Sequence, residues 1–81
     1  MSRARDVVEV VARALADQPD GVRVTENVHR GQNVIELFMA AGDLGRVIGR
    51  QGRTAAAMRT LVATAAELEG IKATLEFRDR D

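Results

Sequence analysis

The sequence predicts an α+β two-layer sandwich: a three-stranded mixed sheet with three helices on one face. Three observations predict it. Hydrophobic periodicity changes along the chain in the order helix, strand, strand, helix, helix, strand. Each strand segment has a mainly apolar face that needs a cover, which the helices can supply. The first two strands are separated by a short polar connection, as in an antiparallel hairpin, whereas the second and third are separated by two helices, long enough for a parallel crossover. At 81 residues the chain has room for one domain with a modest core. No repeat, linker or low-complexity stretch divides it, so residues 1–81 read as a single domain with its core at about 4–77 and a polar, solvated tail at 78–81.

The first helix is expected at 4–17, where Val7, Val8, Val11 and Leu15 recur at helical spacing and Val10 falls off the stripe as an exposed apolar residue. Gln18-Pro19-Asp20-Gly21 ends it with three turn-forming residue types. Residues 22–29 alternate, with Val22, Val24 and Val28 on one face. Glu26 shares that face, so burial there is imperfect or the strand frays. Arg30-Gly31-Gln32-Asn33 reads as the hairpin loop. The second strand, 34–40, points Ile35, Leu37 and Met39 one way and Val34, Glu36 and Phe38 the other, apolar on most of both faces as a central strand can be. Asp43 is a candidate N-cap for a short helical turn at 44–48. A long helix follows at about 53–69, with Met58, Leu61, Val62, Ala65 and Leu68 on one stripe and Gly70 as its stop. The last strand, 71–77, sets Ile71, Ala73, Leu75 and Phe77 against Lys72, Thr74 and Glu76.

Composition excludes several classes of function. There is no cysteine, which removes disulfides, thiol nucleophiles and Cys-based metal sites. The single histidine, His29, has no carboxylates at ligand spacing, so no metal and no cofactor are expected. No apolar run approaches a membrane span, and the first residues lead into an amphipathic segment rather than a secretory signal. Glu26 and Glu36 on neighbouring strands are the nearest thing to a carboxylate pair, Ser2 lies in the N-terminal tail, and no nucleophile with its base emerges, so no enzymatic activity is expected. Only Phe38 and Phe77 are aromatic, too few for the stacking platforms by which some nucleic-acid modules hold bases.

The charge is uneven. Twelve basic and 12 acidic residues sum to zero, but residues 44–66 hold Arg46, Arg50, Arg53 and Arg59 with no acid and carry +4, leaving −4 elsewhere. A local cationic field attracts phosphate even on a neutral molecule. In the same stretch Gly49 and Gly52 flank Arg50 and Gln51 between two helices. Glycine admits positive φ and close approach of a ligand to the backbone. The helix after Gly52 offers free N–H groups and the positive end of its dipole. Arg50 projects from the loop tip, and Val47 and Ile48 could form an apolar floor for bases. A lone G-x-x-G is a weak signal, because a tight helix–turn–helix corner uses glycines in the same way. The helical setting and the arginines make it more specific. A phosphate-binding P-loop does not fit, since Val47 stands where a glycine is needed and Arg53 where a lysine is.

The segment Arg46-Val47-Ile48-Gly49-Arg50-Gln51-Gly52-Arg53-Thr54 resembles the signature of KH domains, in which a G-x-x-G loop clamps backbone nucleotides. The element order resembles the type II KH arrangement over nearly the whole chain, about 4–77. With Met58-Arg59-Thr60-Leu61-Val62 following the loop, the chain is similar to the bacterial KhpA family of small single-KH proteins. The resemblance implies binding of single-stranded RNA, a cytoplasmic post-transcriptional or RNA-chaperone role (with an influence on cell shape), and a homodimer or a heterodimer with a larger, KhpB-like KH partner. It implies that Gly49 and Gly52 shape the loop, Arg50 and Gln51 face phosphates, Val47 and Ile48 line the groove or the core beneath it, and Arg46 and Arg53 attract from the flanks. Base preference would come partly from the last strand. Arginine replaces the lysine often found at position 50, which keeps the charge but changes a point donor to a fork. The alternative is a protein-interaction or dimerisation module with little RNA affinity, built on the alanine-rich helix 53–69 and an exposed Val10.

Overall fold

The computed structural model describes residues 2–80, and in it six main elements build the sandwich. They are α1 (Arg3–Leu15), β1 (Arg23–His29), β2 (Gln32–Met39), α2 (Ala41–Ile48), α3 (Arg53–Leu68) and β3 (Ala73–Asp79). The sheet order is β1-β2-β3, with β1 and β2 antiparallel and β2 and β3 parallel, as expected. The α+β class, the central position of β2 and the cover of helices on one face agree with the sequence reading.

Side-chain alternation explains which face is covered. Ile35, Leu37 and Met39 of β2 are completely buried, and Val24 beside Leu37 and Leu75 beside Ile35 extend that face across the sheet. Ala4, Val8 and Ala12 of α1 and Met58, Val62 and Ala66 of α3 close over it. Both helical stripes are rotated from the expected ones. On α1 the inward set is Ala4-Val8-Ala12, while Leu15 is 39% exposed; Val10, at 68%, is exposed as expected. On α3 it is Ala55-Met58-Val62-Ala66, and Leu61 and Leu68 point outward. The cause is close packing: α1 and α3 lie against each other as well as on the sheet, and small alanines let the backbones approach where a leucine would hold them apart.

Several boundaries shift. Arg30 and Gly31 alone make the hairpin turn, both at positive φ, and Gln32 and Asn33 already pair with His29 and Val28. Ser2, expected in a loose tail, is buried and caps α1, its hydroxyl accepting from the Arg5 N–H at 3.1 Å. Asp43 does not cap its own helix, because α2 begins earlier, at Ala41. Its buried carboxylate instead accepts from the N–H groups of Asp17 (3.2 Å) and Gln18 (3.0 Å), pinning the end of α1 to α2. Arg78 and Asp79 belong to β3 rather than to a tail. They pair with Phe38 and Met39, and the Arg80 N–H donates to the Met39 carbonyl at 3.0 Å. Asp81, the end of the expected tail, lies outside the described residues. Gly70 follows α3 as expected, with its N–H on the Glu67 carbonyl and the Ile71 N–H on the Ala66 carbonyl, the paired bonds of a Schellman motif.

Glu26 settles the question left at β1. Val28 beside it is 69% exposed, so that face is only partly covered, but the strand does not fray. The Glu26 carboxylate accepts from the Ser2 N–H (3.1 Å) and the Asn33 side-chain amide (2.8 Å). Burial pushes this carboxyl up, but those hydrogen bonds outweigh it and hold its pKa below the ordinary value. A depressed folded-state pKa stabilises above the unfolded value, near 4.3, and that contribution fades as pH falls through the lower folded value. The gap in urea midpoint between the native chain and Glu26→Gln should therefore be widest at neutral pH and narrow below about pH 4. A gap that stays constant from pH 7 to pH 3 would show that the carboxylate's charge contributes nothing.

Candidate functional site

The Gly49–Gly52 loop joins α2 to α3 at a corner made by backbone conformation. Gly49 has φ 78° and ψ 174°, Gln51 φ 57° and ψ 23°, and Gly52 φ 71° and ψ 17°. Three of the four residues thus have positive φ, and Arg50–Gly52 close into a single 3-10 turn with the Gly52 N–H on the Gly49 carbonyl at 3.2 Å. Gly49 is required twice over. Its φ,ψ pair is almost exclusive to glycine, and a Cβ there would lie 2.6 Å from Thr54 Oγ1. Gly52 meets nothing within 4 Å, so only its left-handed conformation favours glycine.

The turn delivers α3 with no side-chain cap at its start and no acidic residue in its first turn. Its leading N–H groups lie beside the loop, where the helix dipole is positive. Arg50, Gln51 and Arg53 are all exposed. Arg53 Nη2 donates to Gln51 Oε1 at 3.1 Å, which ties the tip to the helix start. Among the described residues neither Arg50 nor Arg53 meets a carboxylate. The corner therefore presents bare backbone, positive partial charge and two guanidinium groups to solvent, an arrangement suited to a chain of phosphates.

The flanking residues divide. Arg46 is exposed near the end of α2 but forms an ion pair with Asp17 at 2.8 Å, so the run of arginines is opposed by an acid that only the fold brings near. Val47 is completely buried, one helical turn beyond Asp43 on the inner face of α2. It supports the corner from beneath and cannot touch a ligand, which corrects its place on an open floor. Ile48 is half-buried and can still contribute to a surface. The structure thus brings Gly49, Arg50, Gln51, Gly52 and Arg53 together at one corner, with Arg46 and Ile48 on its flank and Val47 in the core.

One pair is absent from the sequence reading. Arg59 of α3 reaches β3, its guanidinium carbon 5.0 Å from the centre of the Phe77 ring and its Nε donating to the Leu75 carbonyl at 3.4 Å. A signal for it existed: Gly52, Ala56, Arg59 and Ala63 fall at i, i+4, i+7 and i+11, so the helix carries Arg59 on the same face as the loop.

Comparison with known proteins bears on this geometry. The family model for the KH domain of KhpA and KhpB matches residues 5–77. The chain is 47% identical over 73 residues to the RNA-binding protein KhpA of Caldanaerobacter subterraneus, covering 89% of this chain and 96% of that one. It is 50% identical over 58 residues to the RNA-binding protein KhpA of Mycobacterium leprae, covering 72% of each. Among solved structures, GDP- and aluminium-fluoride-bound Era from Aquifex aeolicus aligns with a TM-score of 0.62 at 22% identity, over 94% of this chain but 29% of Era, a likeness of fold alone.

Proposed function

Because the chain belongs to the KhpA/KhpB KH-domain family, we propose that it is a non-enzymatic RNA-binding protein that clamps short single-stranded RNA at the Gly49–Gly52 loop. The observation that carries this reading is the corner itself: three positive-φ residues leading into an uncapped helix, with Arg50 and Arg53 exposed and, among the described residues, opposed by no carboxylate. In this role Gly49 and Gly52 keep the backbone bare, Arg50 and Gln51 meet phosphate oxygens, and Arg53 adds attraction from the helix start. Arg46 contributes in competition with Asp17, and Ile48 borders the track. The role of these relatives as RNA-binding proteins supports the same ligand class. Post-transcriptional regulation or RNA chaperoning in the cytoplasm is the cellular setting we assign. No helix among the described residues is long and apolar enough to cross a membrane.

Val10, Leu61 and Leu68 stand exposed on the outer sides of α1 and α3. Apolar side chains left out of the core favour association, and we assign to that side the contact with a second copy or with a larger KH partner. Such pairing leaves the loop free and would strengthen RNA binding by raising effective concentration.

The test is salt dependence. Each phosphate contact on a single strand contributes about −0.7 to the slope of log affinity against log salt, so two or three contacts give roughly −1.5 to −2. Titration of a fluorescent RNA octamer at several salt concentrations measures it. A flat line, or no binding at any salt, rejects the clamp.

A further inference from the structure

Following the face of α3 away from the loop leads to a second contact of a different kind. Arg59 lies seven residues beyond Gly52, about 10 Å along the helix. Ala56 between them is small and exposed, so nothing tall stands in the way. The far wall is β3. Just before it the Lys72 carbonyl accepts from the Asn33 N–H at 2.8 Å, and just after it the Arg80 N–H reaches the Met39 carbonyl at 3.0 Å, so even-numbered residues pair with β2. Alternation leaves the backbone groups of Ala73, Leu75 and Phe77 on the free edge. Arg59 spans the gap, with Nε on the Leu75 carbonyl and its guanidinium over the Phe77 ring. Beyond it an open cleft of about 440 Å³ lies between α3 and the start of β3, with Ala63, Glu67, Lys72 and Ala73 on its walls.

The chemistry of Arg59 differs from that of the chain's paired arginines. Arg5 and Arg13 pair with Glu9, Arg46 with Asp17, and Arg78 with Glu36 and Glu76. Among the described residues Arg59 meets no carboxylate, and its guanidinium carbon lies over an aromatic ring. A guanidinium set on an aromatic face is a flat, weakly hydrated, cationic surface. Bases stack on such planes as they do on aromatic rings.

We propose that Arg59, backed by Phe77, is a nucleobase-stacking platform, and that it favours a purine at the nucleotide next to the clamped phosphates. This rests on the RNA reading of the loop. The ring holds one face of the guanidinium, the Leu75 carbonyl fixes its orientation, and the other face takes a base. A purine overlaps that plane more fully than a pyrimidine, so the platform adds preference where the loop adds only attraction.

The experiment compares oligo-A and oligo-U octamers on the native chain, on Arg59→Lys and on Phe77→Leu. Lysine keeps the charge and the aliphatic stem but loses the plane. Leucine keeps the apolar contact but loses the ring. Both variants should bind oligo-A about tenfold more weakly, bind oligo-U within about twofold of the native chain, and so lose the preference. Saturating oligo-A should also shift the Arg59 Nε–H proton upfield, through the ring current of a stacked base, which a purely structural Arg59 would not show. Native affinity of Arg59→Lys for oligo-A, or an unmoved Nε–H signal, overturns the platform while leaving the clamp standing. Failure of the native chain to bind either octamer overturns both.

Discussion

Replacing Arg50 and Gln51 together by aspartate should abolish binding of short single-stranded RNA while leaving the fold intact. Both side chains are exposed, and Gln51 sits at φ 57°, a region that aspartate tolerates well, so the substitutions demand no rearrangement. Surface changes of this kind usually alter stability by about 0.5 kcal/mol or less. Binding responds far more. A hydrogen bond to a charged group is worth about 1.5–3 kcal/mol, and the variant turns an attractive corner into a repulsive one. An affinity loss of roughly a hundredfold or more follows, since each 1.4 kcal/mol is about tenfold. Fluorescence anisotropy with an RNA octamer reads the affinity, and a thermal melt of the same sample reads the fold. An unchanged affinity in a folded double variant would remove the loop from the interface. If the chain is instead an assembly module only, RNA of no length binds.

Gly49→Ala should be the most damaging single-methyl change in the loop. Alanine at φ 78° and ψ 174° is strained by about 1–3 kcal/mol, and its Cβ would lie 2.6 Å from Thr54 Oγ1 and 3.0 Å from Thr54 Cβ. For a domain of this size each kcal/mol lowers Tm by about 4–8 °C, so a fall of roughly 10 °C is expected. Gly52→Asn is the control. Space there is open, and asparagine accepts the left-handed conformation, so the cost should be about 1 kcal/mol or less. Adding Thr54→Ala to Gly49→Ala should restore only part of the loss, because the threonine hydroxyl leaves while its Cβ and the backbone strain remain. Equal melting temperatures for Gly49→Ala and Gly52→Asn would show that the two glycines are interchangeable and that the contact with Thr54 does not matter.

Much of this architecture could be read locally. The alternation in 34–40 put Ile35, Leu37 and Met39 on one face, and all three are completely buried. The Gly49–Gly52 corner stood out because glycine spacing, charge and flanking helical periodicity are all properties of neighbouring residues. The stripes on α1 and α3 were less legible. Alanine is too small to register as a strong apolar signal, yet Ala4, Ala12 and Ala66 are the residues that let the helices pack closely. Leu61 and Leu68 drew attention as large apolar groups and turned out to face solvent.

What the sequence by itself determined was the order and type of the elements, the face of the central strand that enters the core, and the place of the glycine loop, because each depends on patterns within a few residues. Tertiary structure alone decided that Asp43 secures the end of α1, that Asp17 opposes Arg46, that Val47 lies under the loop rather than on it, and that Arg59 stands over Phe77. In the three side-chain pairings the partners are far apart in the chain, from 18 residues for Arg59 and Phe77 to 29 for Asp17 and Arg46. Their pairing depends on how helices dock on the sheet, and no local periodicity encodes the side chains that docking brings face to face.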